Sequence, residues 1–405
     1  MATSMSDISS RNPVTHSAKT FCEFFADIGL VREGVVDSGW SCVYANDNDP
    51  NKNLLYQARF GEEHFHLEDV RETERVLSQI PEGPFLATAS FPCTDLSLAG
   101  NGRGFAGEHS STYFAFTDVL ARLGQHRPKL VLLENVPGFI TSHQGQDSAK
   151  ALRRLADLGY FVDCFMLDAK EFVPQSRLRV FVVGVHGSVI GRCRVLHWHG
   201  GPPAAVDRAD SRLRPTRLLR LTQGIELATG WISTAVDGPP SSATQLIEVI
   251  DRGDEQEWWD DQQTHRHLET CSTTHRAVLD QLLQERTNVH IGTGFRRTRK
   301  GQVRVEPRFD GVAGCLRVPR GGSARQIVIV IEAGRLRMRW MSPREYARLQ
   351  GAPGFPLAGT PYQQMAGFGD AVCVPVIRWI DEHVLSPLHN AISGGPIGMP
   401  APLSA

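Results

Sequence analysis

No stretch of this chain approaches the ~18 consecutive apolar residues that cross a membrane as a helix. Its opening segment, Met1 to Ser17, is rich in Ser, Thr and Asn and has no apolar centre, so it reads as a loose tail and not as a secretory leader. Cysteine occurs at Cys22, Cys42, Cys93, Cys164, Cys193, Cys271, Cys315 and Cys373, yet no two stand in a CxxC pair. That scatter excludes a zinc ribbon or a disulfide framework and suits a reducing cytoplasm. His64 and His66, like His197 and His199, are followed by no third ligand at a metal-binding spacing, so no metal is expected. Nor does one charge dominate: 43 Lys and Arg face 44 Asp and Glu, a formal net charge of −1. A uniformly basic chain is excluded, although the positive charge is unevenly placed.

What is present is enough for a large globular protein. A chain of 405 residues with 41% hydrophobic content can bury a substantial core and should hold two domains. From about Lys19 to Val185 strand and helix patterns alternate, as a doubly wound α/β sheet requires. Strands are expected at Thr20–Phe25, Ser41–Asn46, Phe85–Ser90, Leu130–Glu134, Phe161–Leu167 and Arg179–Val185, and Ser148 to Leu158 has helical spacing. From His186 the rhythm stops, and segments such as Gly200-Gly201-Pro202-Pro203 and Asp237-Gly238-Pro239-Pro240 break the chain. Within that stretch Arg266 to Gln284 reads as a helix and Val303 to Val318 as irregular strands. Pro343 to Gln350 should be helical, with Ser342 as N-cap and Pro343 at its first position. Ala371 to Val384 is apolar and helical, and the Gly- and Pro-rich tail from Ala391 is expected to be disordered.

Three elements carry chemistry. The run Pro84 to Ser90 reads as a buried strand that Pro92 stops, because proline has no N–H to give a ladder. Cys93 is then presented at the carboxyl edge of the sheet, where open α/β sheets place their ligands. The next segment, Thr94 to Ser111, holds Gly100, Gly102, Gly104 and Gly107, which suits a loop that closes over a site. A thiol on a rigid strand end under such a loop is a candidate nucleophile. A second buried run, Lys129 to Leu133, ends in Glu134-Asn135-Val136 and brings a carboxylate to the same edge. In isolation that Glu equally suits a helix cap. The third element, Gln175-Ser176-Arg177-Leu178-Arg179, leads into Val180 to Gly184, and two-residue spacing puts Arg177 and Arg179 on one face.

In this order and spacing the three elements closely resemble the DNA cytosine-5 methyltransferase family of bacterial type. Glu23-Phe24-Phe25-Ala26-Asp27-Ile28-Gly29 resembles that family's motif for S-adenosyl-L-methionine after the first strand. Asn46-Asp47-Asn48-Asp49 and Asp69 resemble the second- and third-strand motifs, while Arg339 to Glu345 and Gly369-Asp370-Ala371-Val372 are similar to the last two. The resemblance implies a Rossmann-like methyltransferase domain with a smaller α+β target-recognition domain. It also implies roles. Cys93 would add to carbon 6 of a cytosine, making carbon 5 nucleophilic enough to take the methyl group. Glu134 would protonate or hydrogen-bond N3 and accept from the exocyclic amine. Arg177 would grip O2, and Arg179 would orient Glu134 and the cysteine loop. Phe25 would pack on the adenine, Asp47 bind the ribose and Asp69 the adenine amine, with Ala26, Asp27, Ile28, Gly29, Asn48, Pro92, Asp370 and Ala371 completing the cofactor site.

The chain departs from the family pattern at Asp27 and Leu30, where glycines are usual, and at Asp370, where Asn is usual. Lost glycines restrict close approach of the backbone to a ligand, although added carboxylates are compatible with a donor that carries a sulfonium and an ammonium. From Ile291 to Glu345 thirteen Arg or Lys stand against four Asp or Glu, an excess of nine positive charges. This stretch falls where the family carries its recognition domain, and Arg296, Arg297, Arg299, Arg317, Arg320 and Arg325 are the expected DNA contacts. Ser97 and Arg103 of the glycine-rich loop would reach the DNA around a flipped-out base. The expected division is a tail at 1–17, a catalytic and cofactor-binding domain at 18–189, target recognition at 190–330, a return to the first domain at 331–390, and a tail at 391–405. A monomer acting on duplex DNA in the cytoplasm is expected, within restriction-modification or a related defence system, with any cognate endonuclease acting separately. Two other readings stay open: a family member that methylates tRNA, which the ~120-residue recognition region disfavours, and a non-catalytic DNA-binding relative.

Overall fold

The computed structural model describes residues 18–92, 112–193, 196–199, 212–234, 236–239, 244–299, 301–319 and 324–394, with only the main chain at 196–199 and 299. Nine strands form one sheet: β1 (Thr20–Phe24), β2 (Ser41–Asp47), β3 (Phe65–Leu67), β4 (Leu86–Ala89), β5 (Leu130–Asn135), β6 (Tyr160–Asp168), β7 (Leu178–His186), β8 (Leu196–His199) and β9 (Trp231–Thr234). Their order is β3-β2-β1-β4-β5-β7-β6-β9-β8. The first five pair in parallel, and β7 enters antiparallel between β5 and β6. The six strands expected from the sequence are present with each end displaced by at most one residue. β3 was not expected; three residues are too few to show a period.

The strands read as near-continuous apolar runs because both faces of the sheet are covered. Along β5, Leu130 and Leu132 enter one core while Val131 and Leu133 enter the other. Chain order reverses between β1 and β4, so the crevice beyond their carboxyl ends is the switch point at which such sheets bind ligands. Phe24 lies level with Ala89, and Ala89 with Leu133. Phe25, Pro92 and Glu134 therefore leave the sheet at one edge.

The large sheet continues past residue 190. Trp231 pairs with Val162, so β9 joins β6 in parallel, and β8 pairs with β9. Asp163, fully buried on β6, holds this edge. Its carboxylate accepts from Arg214 Nη2 at 2.7 and 2.9 Å and from the N–H and hydroxyl of Thr234 at 2.9 and 2.8 Å. The strands of 190–330 are thus divided between two sheets.

The second sheet is antiparallel, in the order β11-β10-β12-β13: β10 (His290–Arg299), β11 (Gln302–Arg308), β12 (Gln326–Glu332) and β13 (Arg335–Trp340). Ile327, Ile329 and Ile331 of β12 pack with Leu279 of helix Thr273–Gln284, whereas Val328 and Val330 join the core shared with the large sheet. The single helix expected at 266–284 is two, Asp261–Glu269 and Thr273–Gln284, because Ser272 caps the second by accepting from the His275 N–H at 3.2 Å.

Helix Pro343–Leu349 starts as expected, with a reciprocal capping box between Ser342 and Glu345. The single helix expected at 371–384 is instead Val374–Ile380, a π-turn at Asp381–Leu385 and Ser386–Ser393. Ser386–Ser393 runs past Ala391, where a tail was expected, because Ile392 is buried in the core. This C-terminal unit packs on the segment between β1 and β2: Trp40 Nε1 donates to Asp381 at 2.7 Å, and a Cβ at Gly34 would lie 2.7 Å from Ile377.

Glu23 on β1 is a buried acid with a consequence for stability. Its Oε1 accepts from the Arg32 N–H at 3.2 Å, while Oε2 has no partner among the described residues. Burial, only partly offset by Arg32, pushes its carboxyl up to about 8 from 4.5. A folded-state pKa raised this way contributes stability fully below about pH 4.5 and loses it as pH rises through about 8. Glu23→Gln is expected to flatten that decline and to stabilise the fold above about pH 8 by on the order of a few kcal/mol. Melting curves at acidic and alkaline pH check this, and an unaltered slope would assign the decline to another group.

Candidate active site

Cys93 follows Pro92 in the chain but lies outside the described residues, as do Ser97, Arg103 and Arg320. The segment leading to it is held firmly. Asn135 Nδ2 donates to the Phe91 carbonyl at 3.1 Å, and the Phe91 ring packs on Tyr113 and Phe139 at centroid distances of 4.9 and 5.7 Å. Asn135 thereby ties the end of β5 to the residues before Cys93.

Glu134 lies opposite Phe181, and Arg179 is two residues before Phe181 on the same face. Arg179 Nε and Glu134 Oε1 are 2.9 Å apart, with side chains only 14% and 11% exposed. Such a pair is largely shielded from water, so its field is stronger than that of a surface ion pair.

Arg177 is used differently. Its side chain is buried; Nη1 donates to the carbonyls of Leu316 and Gly369 at 3.1 and 3.2 Å, and Nη2 to those of Asp370 and Ala371 at 2.9 and 2.6 Å. Three of these carbonyls close helix Pro361–Asp370, where a cation complements the unpaired C=O groups. Gln175 acts alongside, donating to Leu349 O at 2.7 Å and accepting from the Leu316 N–H at 3.1 Å. The expectation was that Arg177 grips the base while Arg179 orients Glu134. Arg179 does stand against Glu134, but the amino groups of Arg177 are directed to main-chain carbonyls and, from Nη1, to Cys315 Sγ at 3.4 Å.

A cavity of about 170 Å³ opens at the switch point, bordered by Phe25, Asp47, Asn48, Asp69, Pro92 and Arg71. The first five of these were expected at the cofactor site; Arg71 was not. Asp47 Oδ2 accepts from the Asp27 N–H and Oδ1 from the Asp49 N–H, both at 3.0 Å. Asp69 accepts from Arg71 Nε and Nη2 at 3.0 and 2.6 Å, and those bonds hold its carboxyl below the usual range. Ala26 and Ile28 send their side chains into the core, leaving only their main chain toward the site.

The altered turn has a definite shape. Phe25, Asp27 and Gly29 have φ of 54°, 52° and 84°. Gly29 is required, since a Cβ there would fall 2.5 Å from the Phe60 ring. Asp27 adopts the left-handed conformation at a cost of ~1 kcal/mol, which Asp tolerates better than most residues. Leu30 needs no such conformation, because it opens helix Leu30–Val35 with its side chain buried. Lys52, from helix Pro50–Phe60, places Nζ 3.6 Å from Asp27 Oδ2 and 3.3 Å from Asp370 Oδ2. Nothing in the local sequence pattern marks Lys52.

Of the arginines counted between Ile291 and Glu345, several have internal partners. Arg308 pairs with Asp310, Arg337 with Asp254 at 2.8 Å, and Arg339 with Glu345 at 2.5 Å. Arg344 donates to the carbonyls of Pro353 and Phe355 at 2.6 and 2.8 Å. Arg296 and Arg325 lie over the Trp340 ring at 5.1 and 5.3 Å, and Arg297 over Phe295 at 4.8 Å. The usable basic surface is therefore smaller than the charge count implies.

Comparison with known proteins gives consistent likenesses. The family model for C-5 cytosine-specific DNA methylase matches residues 19–386. The chain is 27% identical over 401 residues to the type II methyltransferase M.HpaII of Haemophilus parainfluenzae, covering 94% of this chain and 92% of that protein. It is 37% identical over 169 residues to the type II methyltransferase M.BsuFI of Bacillus subtilis, covering 41% and 39%. Among solved structures, a DNMT2 variant of Spodoptera frugiperda superposes with a TM-score of 0.57 at 15% identity, covering 91% of this chain and all of the other (100%). The Dnmt2 methyltransferase of S. pombe gives 0.52 at 15% identity, covering 91% and 99%. At that identity the structures speak to the fold alone.

Proposed function

Because the chain belongs to the C-5 cytosine-specific DNA methylase family, and so is a DNA cytosine methyltransferase by family, we propose that it transfers a methyl group from S-adenosylmethionine to carbon 5 of a flipped-out cytosine in a short duplex sequence. The observation that carries this reading is the Glu134–Arg179 pair, standing on the same sheet edge as the anchored Phe91–Pro92 segment. Cys93, next in the chain, is the nucleophile for carbon 6 of the base. Its S–C6 bond forms as the ring's 5,6 double bond shifts electron density to carbon 5, and it breaks once carbon 5 has lost its proton. Glu134 and Arg179 stabilise the charge that develops on N3 and O2. Arg177 positions, fixing residues 369–371 and 316 so that the C-terminal unit closes against the sheet.

The residues around the cavity suit S-adenosylmethionine. Asp47 and Asp69 are acceptors for hydroxyls and an exocyclic amine, and Phe25 offers a ring for the base; Asp27 is not among the lining residues but donates its main-chain N–H to Asp47. When bound, the group supplies the electrophilic methyl. Arg296, Arg297, Arg299, Arg317, Arg320 and Arg325, with Ser97 and Arg103, are proposed to meet the duplex. The type II methyltransferase relatives support a role in protecting DNA within restriction-modification. Incubation with labelled S-adenosylmethionine and mixed-sequence duplex, followed by sequencing for 5-methylcytosine, tests the proposal. The expected result is methylation in one sequence context, abolished by Cys93→Ser. Methylated RNA and unmodified DNA would overturn the DNA reading.

A further inference from the structure

Arg177 and Arg179 project to one side at the start of β7. Glu134 pairs with Arg179, whereas Arg177 spends its hydrogen bonds on neutral acceptors. Burial and the neighbouring Arg179 both lower the pKa of Arg177, as two cations crowded away from water should. Cys315 Sγ meets the two of them: Arg177 Nη1 donates to it at 3.4 Å, and Arg179 also hydrogen-bonds it. The chain on either side of Cys315 is pinned. Gln326 Nε2 donates to the Gly314 carbonyl at 2.7 Å, and Gln326 Oε1 accepts from the Gly314 N–H at 3.2 Å. The Leu316 N–H donates to Gln175 Oε1 at 3.1 Å, and the Leu316 carbonyl accepts from Arg177 Nη1 at 3.1 Å. The main chain therefore fixes where the sulfur sits.

Resting on the reading of Glu134 and Arg179 as the groups that act on the base, we propose that Cys315 is a positioning residue for methyl transfer: its sulfur accepts from Arg177 and Arg179 together and keeps Arg179 turned to Glu134. Without that acceptor the two guanidiniums repel each other in a partly dry site, and Arg179 gains by moving toward water. The surroundings favour electron density on the sulfur. Burial by itself would raise the pKa of the thiol, but Arg177, Arg179 and Arg317 outweigh burial and lower it. The competing account is that a neutral thiol only fills space, donating to the Leu316 carbonyl, which lies 3.4 Å from Sγ.

Single-turnover methylation by Cys315→Ala and Cys315→Ser separates the accounts, because the two variants differ by one oxygen able to accept from a guanidinium. Cys315→Ala is expected to slow methyl transfer by about 10- to 30-fold, and Cys315→Ser to stay within about threefold of wild type. KM for DNA and for S-adenosylmethionine should change by less than about twofold in both, since the effect lies in the chemical step. Melting curves report that the variants are folded. In Arg179→Ala protein, adding Cys315→Ala should cost no further rate, because the residue acts through Arg179. A wild-type rate from Cys315→Ala would overturn the proposal. So would equal slowing by Ala and Ser, which assigns the effect to the size of the sulfur, or a full further loss in the Arg179→Ala background. Wild-type protein that methylates no DNA would overturn it together with the active-site reading, so the two failures are distinguishable.

Discussion

Glu134→Gln is expected to lower the single-turnover rate of methyl transfer by about 10²- to 10⁴-fold, the range that a positioned acid contributes, while DNA and cofactor affinities change little. The reason is geometric. Glutamine keeps an acceptor oxygen for Arg179 Nε, now 2.9 Å from the carboxylate, but it cannot carry a proton to N3 of the base. Arg179→Ala should cost a similar factor, because it leaves Glu134 buried without its cation. Since the two act as a unit, the double variant should be little slower than either single one. Arg177→Lys should instead act through protein stability and closure, since its hydrogen bonds go to main-chain carbonyls. Wild-type rates from Glu134→Gln would remove Glu134 from the chemistry. A rate loss confined to Arg177 variants would restore the original assignment of the two arginines.

Arg339→Met is expected to destabilise the protein by about 3–5 kcal/mol, the cost of leaving a buried charge without its partner. Arg339 is 2% exposed and Glu345 is fully buried. Nη1 and Nη2 meet the two carboxylate oxygens at 2.8 and 2.5 Å, and Nη2 also donates to Asp251 O at 2.6 Å. The same carboxylate accepts from the N–H groups of Asp251 and Ser342, at 2.9 and 2.8 Å. Removing the arginine thus disturbs β13, the start of helix Pro343–Leu349 and the 251 segment together. Adding Glu345→Gln should recover part of the loss, because Gln keeps an acceptor and carries no charge. Denaturant midpoints of the wild type, Arg339→Met and the double variant provide the measurement. A single-variant loss within about 1 kcal/mol, as for a surface pair, would show that water reaches this site.

Much of the site could be read from local pattern. The ends of β4 and β5 follow from apolar runs stopped by Pro92 and by Glu134, and the residues expected around the cofactor at Phe25, Asp47, Asn48, Asp69 and Pro92 do line one cavity. Arg177 shows where that legibility stops. Period-two spacing correctly puts it on the same side as Arg179, but it says nothing of which partners each finds. Its partners are carbonyls more than 130 residues away. Lys52 is silent for a similar reason: a lysine in the first turn of a polar helix usually faces water, and only the approach of Asp27 and Asp370 gives it a role. The excess of positive charge between Ile291 and Glu345 was read as a DNA-facing surface, yet Arg308, Arg337, Arg339 and Arg344 turn to internal partners.

The sequence by itself determined the class of the large sheet and the edge at which the motifs emerge, which depend on short-range rules: alternation along a strand, proline at its end, a cap before a helix. The kind of chemistry was implied by the resemblance of the ordered motifs to one family. The tertiary structure decided that Arg177 turns to the carbonyls of Leu316, Asp370 and Ala371, that Asp27 has Lys52 as its counter-ion, and that residues 196–234 extend the large sheet. These are matters of which charges and edges meet across long chain separations. Burial and hydrogen-bond geometry choose among partners that the local pattern leaves equivalent.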